Sequence, residues 1–315
     1  MNIKNINKNI RLEGVFYKAI SPLGHESVQR AFSPLSSKAM SLMSLKHLNC
    51  KKTTILRVDS TPMRICIMKS KKQNKRVIGV LWLHGGGYSL GAPEMAVMTF
   101  PRYLIKNCSC VVISPDYTLS AAKPYPAALK DAYTALEWVN SHKMELGITE
   151  DKIVVGGESA GGGLSAALCL YARDKGDKSI GFNIPLYPML DDRVTCTSAD
   201  NDSPVWGTKE NKAAWHIYLG DRVMNNSVEP YAAPARAEKM NDMPPAFSII
   251  GTADPFYAET KAYFEKLKAS GVHCELKEYQ GCFHAFDMMV PYAKISREAS
   301  LYLLDKFNEY CKKYI

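Results

Sequence analysis

The sequence predicts an α/β fold, a mostly parallel central sheet of about eight strands with helices on both faces, plus a helical cap. Three observations predict it. Short apolar runs at residues 77–83, 110–114 and 246–251 are continuous, as strands buried on both faces require. Stretches with apolar residues at helical spacing alternate with those runs. Glycine-rich turns follow two of the strand candidates, at the carboxyl ends where parallel sheets carry their sites.

Taken in order, residues 1–50 read as a mixed helical region, with Leu12, Phe16, Ile20, Met40, Leu42, Met43, Leu45 and Leu48 as its apolar positions. It precedes any strand, so it is expected to lie over the main domain as the first part of the cap. Residues 61–68 alternate as an edge strand does, and 77–83 form a buried one. Residues 94–106 read as one helix with Met95, Met98, Tyr103 and Leu104 inward, followed by the strand at 110–114. A helix at 127–142 turns Leu129, Ala132, Tyr133, Leu136, Trp138 and Val139 to the sheet. A strand at 153–155 then leads through a tight turn into a helix at 162–170. Strands at 182–187, 246–251 and 274–279 alternate with helices at 257–270 and about 292–314. Residues 195–242 break the alternation and are too long for a plain crossover. The domain reading is therefore a core of 51–194 and 243–315, with 1–50 and the inserted 195–242 forming the cap.

Bulk properties exclude several classes. The chain has 315 residues, is 46% hydrophobic and carries a formal charge of +9. Its Lys and Arg are spread without a basic block interleaved with aromatics, so no nucleic-acid partner is expected. The nine cysteines are odd in number and none has metal-finger spacing, which points to a reducing compartment. The first eight residues contain no apolar signal core, and no apolar stretch approaches the ~18 residues of a membrane span. The expectation is a cytoplasmic protein without a membrane partner. No metal and no cofactor is expected, because no ligand cluster appears and the glycine-rich stretch at 156–163 lacks a P-loop lysine.

Chemistry concentrates at four strand ends. Gly157-Glu158-Ser159-Ala160-Gly161 sits between a strand and a helix, the context in which a G-x-S-x-G turn presents its serine. Glycine two before and two after relieves the crowding of so sharp a turn. A serine hydroxyl is a weak nucleophile, so it needs a base, and the base needs an orienting carboxylate. His284, in Phe283-His284-Ala285, follows the 274–279 strand and is the candidate base. Asp254, in Asp254-Pro255, follows the 246–251 strand and is the candidate carboxylate. Donors for the oxyanion are expected from the N–H groups of Gly85 and Gly86, in His84-Gly85-Gly86-Gly87, together with Ala160. His84 reads as an anchor for that loop. The order oxyanion loop, serine, aspartate, histidine, each after a separate strand, is that of an α/β-hydrolase.

These motifs, over roughly residues 60–315, resemble the hormone-sensitive-lipase-like branch of the α/β-hydrolases, microbial esterases with an HGGG loop. Asp116-Tyr117-Thr118-Leu119, Tyr125-Pro126-Ala127-Ala128 and Tyr187-Pro188-Met189-Leu190-Asp191-Asp192 resemble further stretches of that family. Thr118 replaces the family's usual Arg and Ser120-Ala121-Ala122 its Ala-Pro-Glu, which puts the ion-pair scaffolding of this loop in question. Glu158 is either a support behind the site or a solvated acid. Of two acids, Asp254 and Glu259, Asp254 is carried over.

The resemblance implies a serine carboxylic-ester hydrolase, acting on small-molecule, short-chain acyl esters through an acyl-enzyme on Ser159. No long exposed apolar stretch suggests a lipid-interface lid. Trp206, Trp215, Tyr218, Tyr88 and Phe256 either line the pocket or hold the cap down. A homodimer through the last strand is implied by resemblance alone. An amidase or peptidase with the same triad is an alternative, as is a non-catalytic ligand-binding protein. Members of this fold have become hormone receptors by losing the histidine, which is present here.

Overall fold

A computed structural model describes residues 5–20, 23–42, 45, 49–71 and 75–315. Met43 and Leu48, read above as apolar positions of the first region, lie outside the described residues. The sheet has eight strands: β1 (Cys50–Leu56), β2 (Pro62–Lys69), β3 (Ile78–Leu83), β4 (Cys110–Pro115), β5 (Ile153–Glu158), β6 (Ile180–Leu186), β7 (Ala246–Gly251) and β8 (Cys274–Tyr279). Their spatial order is β1-β2-β4-β3-β5-β6-β7-β8. The pairs β1–β2 and β2–β4 are antiparallel and all the others are parallel.

Helices α1 (Arg11–Ile20) and α2 (Glu26–Ser41) precede the sheet. Then come α3 (Pro101–Asn107), α4 (Ala127–Ser141), α5 (Lys143–Leu146), α6 (Ala160–Asp174), α7 (Thr208–Leu219), α8 (Tyr257–Ala269), α9 (Phe286–Met289) and α10 (Lys294–Tyr314). The central strands β3 to β7 are buried at every position, which is why their sequences are continuous apolar runs. α6 is buried along almost its whole length beneath the site.

Three expectations are corrected. The 61–68 stretch is not at the sheet edge: β1 lies outside it, with Cys50 opposite Met68 and Leu56 opposite Pro62. β1 carries Lys51, Lys52, Thr53 and Thr54, so it has no apolar run to announce it, and a charged outer strand protects the edge. The single helix at 94–106 is two elements, a 3₁₀ turn over Pro93–Val97 and then α3. Pro101 cannot extend a helix through its missing N–H, and Met98 in the break is exposed rather than inward. Leu12, Phe16 and Leu42 point to solvent, not to the core.

The loop whose scaffolding was in question is held by other partners. Thr118 donates to Asp131 through its N–H at 2.7 Å and its hydroxyl at 2.6 Å. Arg57 pairs with the same carboxylate at 3.0 Å, and Arg64 bridges Asp116 and the buried Glu94.

Candidate active site

Order reverses at β3, which lies between β4 and β5, so the crevice at the carboxyl ends of β3 and β5 is the switch point of the sheet. Leu83 pairs with Gly157, so the glycine loop after β3 and the turn after β5 emerge side by side. Ser159 has φ 57° and ψ −121°, a conformation most side chains avoid. Its neighbours show why both flanking glycines are required. A Cβ on Gly157 would lie 2.4 Å from the Gly161 oxygen, and one on Gly161 would lie 2.0 Å from the Leu83 oxygen. The turn is clamped from the β6 side, where Ser159 N–H donates to Leu186 O and Met189 N–H donates to Ser159 O, each at 3.0 Å.

The structure brings the three dispersed side chains together. Ser159 Oγ lies 2.8 Å from His284 Nε2, and His284 Nδ1 lies 2.7 Å from Asp254 Oδ2. The other oxygen of Asp254 accepts the Phe256 N–H at 2.9 Å, which fixes the carboxylate. All three residues are buried. The imidazole is walled by aromatic rings: Phe256 at 5.0 Å, Tyr187 at 5.2 Å and Trp206 at 6.3 Å between centroids. Such walls keep water off the imidazole and strengthen electrostatic interactions inside the site.

Glu158 is no solvated acid. Its Oε2 accepts Trp82 Nε1–H at 2.5 Å and its Oε1 accepts Gly85 N–H at 3.2 Å. Burial pushes its carboxyl up to about 8, against the two hydrogen bonds, which favour the ionised form. This corrects one expected donor, since the Gly85 N–H is engaged by Glu158. The N–H groups of Gly86, Gly87 and Ala160 have no acceptor among the described residues. The loop is anchored by His84, fully buried, whose Nδ1 lies 2.8 Å from Gly85 O and whose ring stacks on Tyr117 at 4.1 Å. Burial lowers the affinity of that imidazole for a second proton.

Glu259 does not touch His284. Its Oε1 accepts the N–H groups of Leu190 at 2.7 Å and Asp191 at 3.2 Å, ordering the 187–191 loop that clamps the serine turn. Burial raises its carboxyl well above the ordinary range. Asp287, three residues beyond His284, is buried, and burial pushes it up to about 6. Its position in Phe286-Asp287-Met288 gives no motif from which to find it. Among the aromatic candidates, Tyr88 stacks on Tyr218 at 3.9 Å and Trp215 lies tilted against both at 5.9 Å, and so they tie α7 to the glycine loop. Trp206 is the one that stands between that loop and His284, because a Cβ on Gly87 would meet its ring at 2.6 Å.

Among the described residues no group of three or more His, Cys, Asp or Glu is placed to hold a metal ion. No helix among them is long and apolar enough to cross a membrane.

A doubly wound parallel sheet with a strained serine at its switch point, and an aspartate and a histidine at the ends of the last two strands, defines an α/β hydrolase. The chain belongs to the family described as an alpha/beta hydrolase fold, which it matches over residues 80–288, in its hormone-sensitive-lipase-like branch. It is 34% identical over 209 residues to Esterase LipI of Mycobacterium tuberculosis, covering 66% of this chain and 65% of that protein. It is also 34% identical to Carboxylesterase NlhH of the same organism, covering 68% and 69% respectively. The matched stretch thus spans just under two thirds of LipI. The solved structure titled Bacterial Heroin Esterase superposes with a TM-score of 0.87 at 26% identity, covering 98% of this chain and 99% of that one.

Proposed function

We propose that this chain is a serine carboxylic-ester hydrolase acting on small, short-chain acyl esters through an acyl-enzyme on Ser159. The observation that carries the reading is the unbroken relay from Ser159 Oγ through both ring nitrogens of His284 to Asp254, at 2.8 and 2.7 Å. The similarity to LipI and NlhH, named an esterase and a carboxylesterase, supports it.

In the first half-reaction Ser159 gives its proton to His284 Nε2 as its oxygen attacks the ester carbonyl. The oxyanion accepts hydrogen bonds from Gly86 and Ala160 N–H, with the neighbouring Gly87 N–H as the third donor in place of Gly85. Asp254 holds the imidazolium and its tautomer. His284 returns the proton to the alcohol oxygen as the C–O bond breaks. Water then gives His284 a proton while its oxygen attacks the acyl-enzyme, and Ser159 recovers its proton as the acid departs.

Residues 1–50 and 195–242 act as one cap over the 51–194 and 243–315 core. The contact of α2 with α7 supports this: Gln29 Nε2 donates to Glu210 O at 3.1 Å, and His216 Nδ1 lies 2.6 Å from Glu26 Oε2. A cytoplasmic setting is supported by nine free thiols, of which Cys196 alone is exposed. A homodimer through β8, the outer strand at the opposite edge from β1, is a further element of the reading.

Ser159→Ala is expected to lower kcat by about 10⁶ on 4-nitrophenyl esters and to abolish fluorophosphonate labelling. An undiminished rate in that variant, or no label on the wild type, removes the serine from the mechanism. Equal turnover of matched amides and esters would instead favour an amidase.

A further inference from the structure

The first two helices turn apolar stripes outward. On α1, Leu12, Val15, Phe16 and Ala19 recur at the spacing of one helix face, and all are exposed, Leu12 to 83% and Phe16 to 60%. On α2, Phe32, Leu35 and Ala39 do the same, with Leu42 just beyond the helix end. Six of the fourteen large apolar side chains exposed among the described residues lie between positions 12 and 42. A surface without a partner scatters such groups singly.

The inner side of α1 is fastened to the loop that carries His284. Tyr17 Oη–H donates to Met289 O at 3.1 Å, and Tyr292 Oη–H donates to Glu13 at 2.7 Å. Just before the helix, Asn7 N–H donates to Gly281 O at 2.8 Å. The outward stripe is therefore not a core face waiting to rotate inward, since the opposite side already has its partners.

Charge indicates the occupant. Residues 5–42 carry five cations, Lys8, Arg11, Lys18, Arg30 and Lys38, against two acids, Glu13 and Glu26. Both acids are engaged, Glu13 by Tyr292 and Glu26 by Arg30 and His216, and Lys18 is paired with Asp202, while Lys8 and Lys38 are exposed and make no ion pair among the described residues. A second copy of this chain would bring these unpaired lysines against their own like. Anionic headgroups complement them.

We propose that α1 and α2 dock on an anionic lipid surface, their apolar stripes inserted at the headgroup level and Lys8 and Lys38 on lipid phosphate. Helices of 10 and 16 residues are too short to cross a bilayer and suit the interface. Docking sets the His284 loop close to the bilayer, where lipid-dissolved esters concentrate. That consequence rests on the hydrolase reading; the docking itself does not.

The test is co-sedimentation of the full chain with vesicles of equal parts phosphatidylglycerol and phosphatidylcholine at low salt. The protein is expected to pellet with them, and to stay in solution with phosphatidylcholine alone or in high salt. Paired substitutions Leu12→Ser with Phe16→Ser, and Phe32→Ser with Leu35→Ser, each lower the bound fraction at least about tenfold. The urea unfolding midpoint of each variant stays at the wild-type value, which shows that the variants are folded. Failure to pellet with anionic vesicles overturns the proposal, as does pelleting that the substitutions leave intact. A dimer dispersed by the same substitutions overturns it too, and assigns the face to a second copy.

Discussion

Glu158→Gln removes one acceptor from a place where two donors converge. In the wild type, Trp82 Nε1–H and Gly85 N–H point at the two oxygens of one buried carboxyl, at 2.5 and 3.2 Å. Ionised or protonated, the carboxyl offers a lone pair at each oxygen; the amide has a single oxygen, and its NH₂ must face the other donor. Given the shorter Trp82 contact, the oxygen stays there and Gly85 N–H is left buried without an acceptor. Such an orphaned group destabilises by about 1–3 kcal/mol. Gly85 sits so near the nucleophile that a Cβ on it would lie 3.3 Å from the Ser159 Cβ. Any retreat of the loop therefore shifts Gly86 N–H relative to the oxyanion. Outright loss of one such donor lowers kcat by about 10²–10³, and a displacement takes about 10- to 100-fold. The assay is steady-state hydrolysis of 4-nitrophenyl acetate, with active sites counted by a fluorophosphonate, beside urea unfolding of the same preparation. KM is expected to stay within about twofold of wild type, because ground-state binding does not use the oxyanion donors. A variant with wild-type kcat and an unchanged unfolding midpoint refutes the claim that Glu158 holds the loop.

The same residue predicts how stability depends on pH. Its folded-state carboxyl is raised from 4.5 to about 8 and that of Asp287 from 3.8 to about 6, so the folded chain holds these protons more tightly than the unfolded one. Their contribution is full below pH 3.8–4.5 and is lost as pH rises, by about pH 6 for Asp287 and about pH 8 for Glu158. The urea midpoint of the wild type is expected to fall between pH 5 and pH 9 more steeply than that of Glu158→Gln; parallel slopes contradict the assignment. Gly161→Ala, whose methyl would lie 2.0 Å from Leu83 O and 2.5 Å from His84 O, is expected to yield insoluble or inactive protein. A soluble variant with wild-type turnover disproves the close approach. Trp206→Ala removes the ring between Gly87 and His284 and is expected to raise the octanoate-to-acetate ratio of kcat/KM by about tenfold or more, measured on a 4-nitrophenyl ester series. An unchanged ratio shows that Trp206 does not bound the acyl site.

Much of this protein was legible in the chain itself. The buried strands announce themselves because a parallel strand covered on both faces must be apolar at every position, as in Val80, Leu81 and Trp82. The serine turn announces itself because the approach of Leu83 O leaves no room for a side chain at Gly161. Ser159, Asp254 and His284 could be assigned by position alone, each just past the end of a strand. The half-exposed β1 gives no such signal: its residues need satisfy only one face. Hydrogen-bond ownership was also beyond the string, because which N–H Glu158 takes depends on two loops that are 73 residues apart and meet only through the pairing of β3 with β5. Burial made an acid beside the nucleophile a buttress rather than a solvated charge. The outward stripes of α1 and α2 have the periodicity of core helices. Only the packing, with Tyr17 and Asn7 already taken by the histidine loop, decides that those stripes face away.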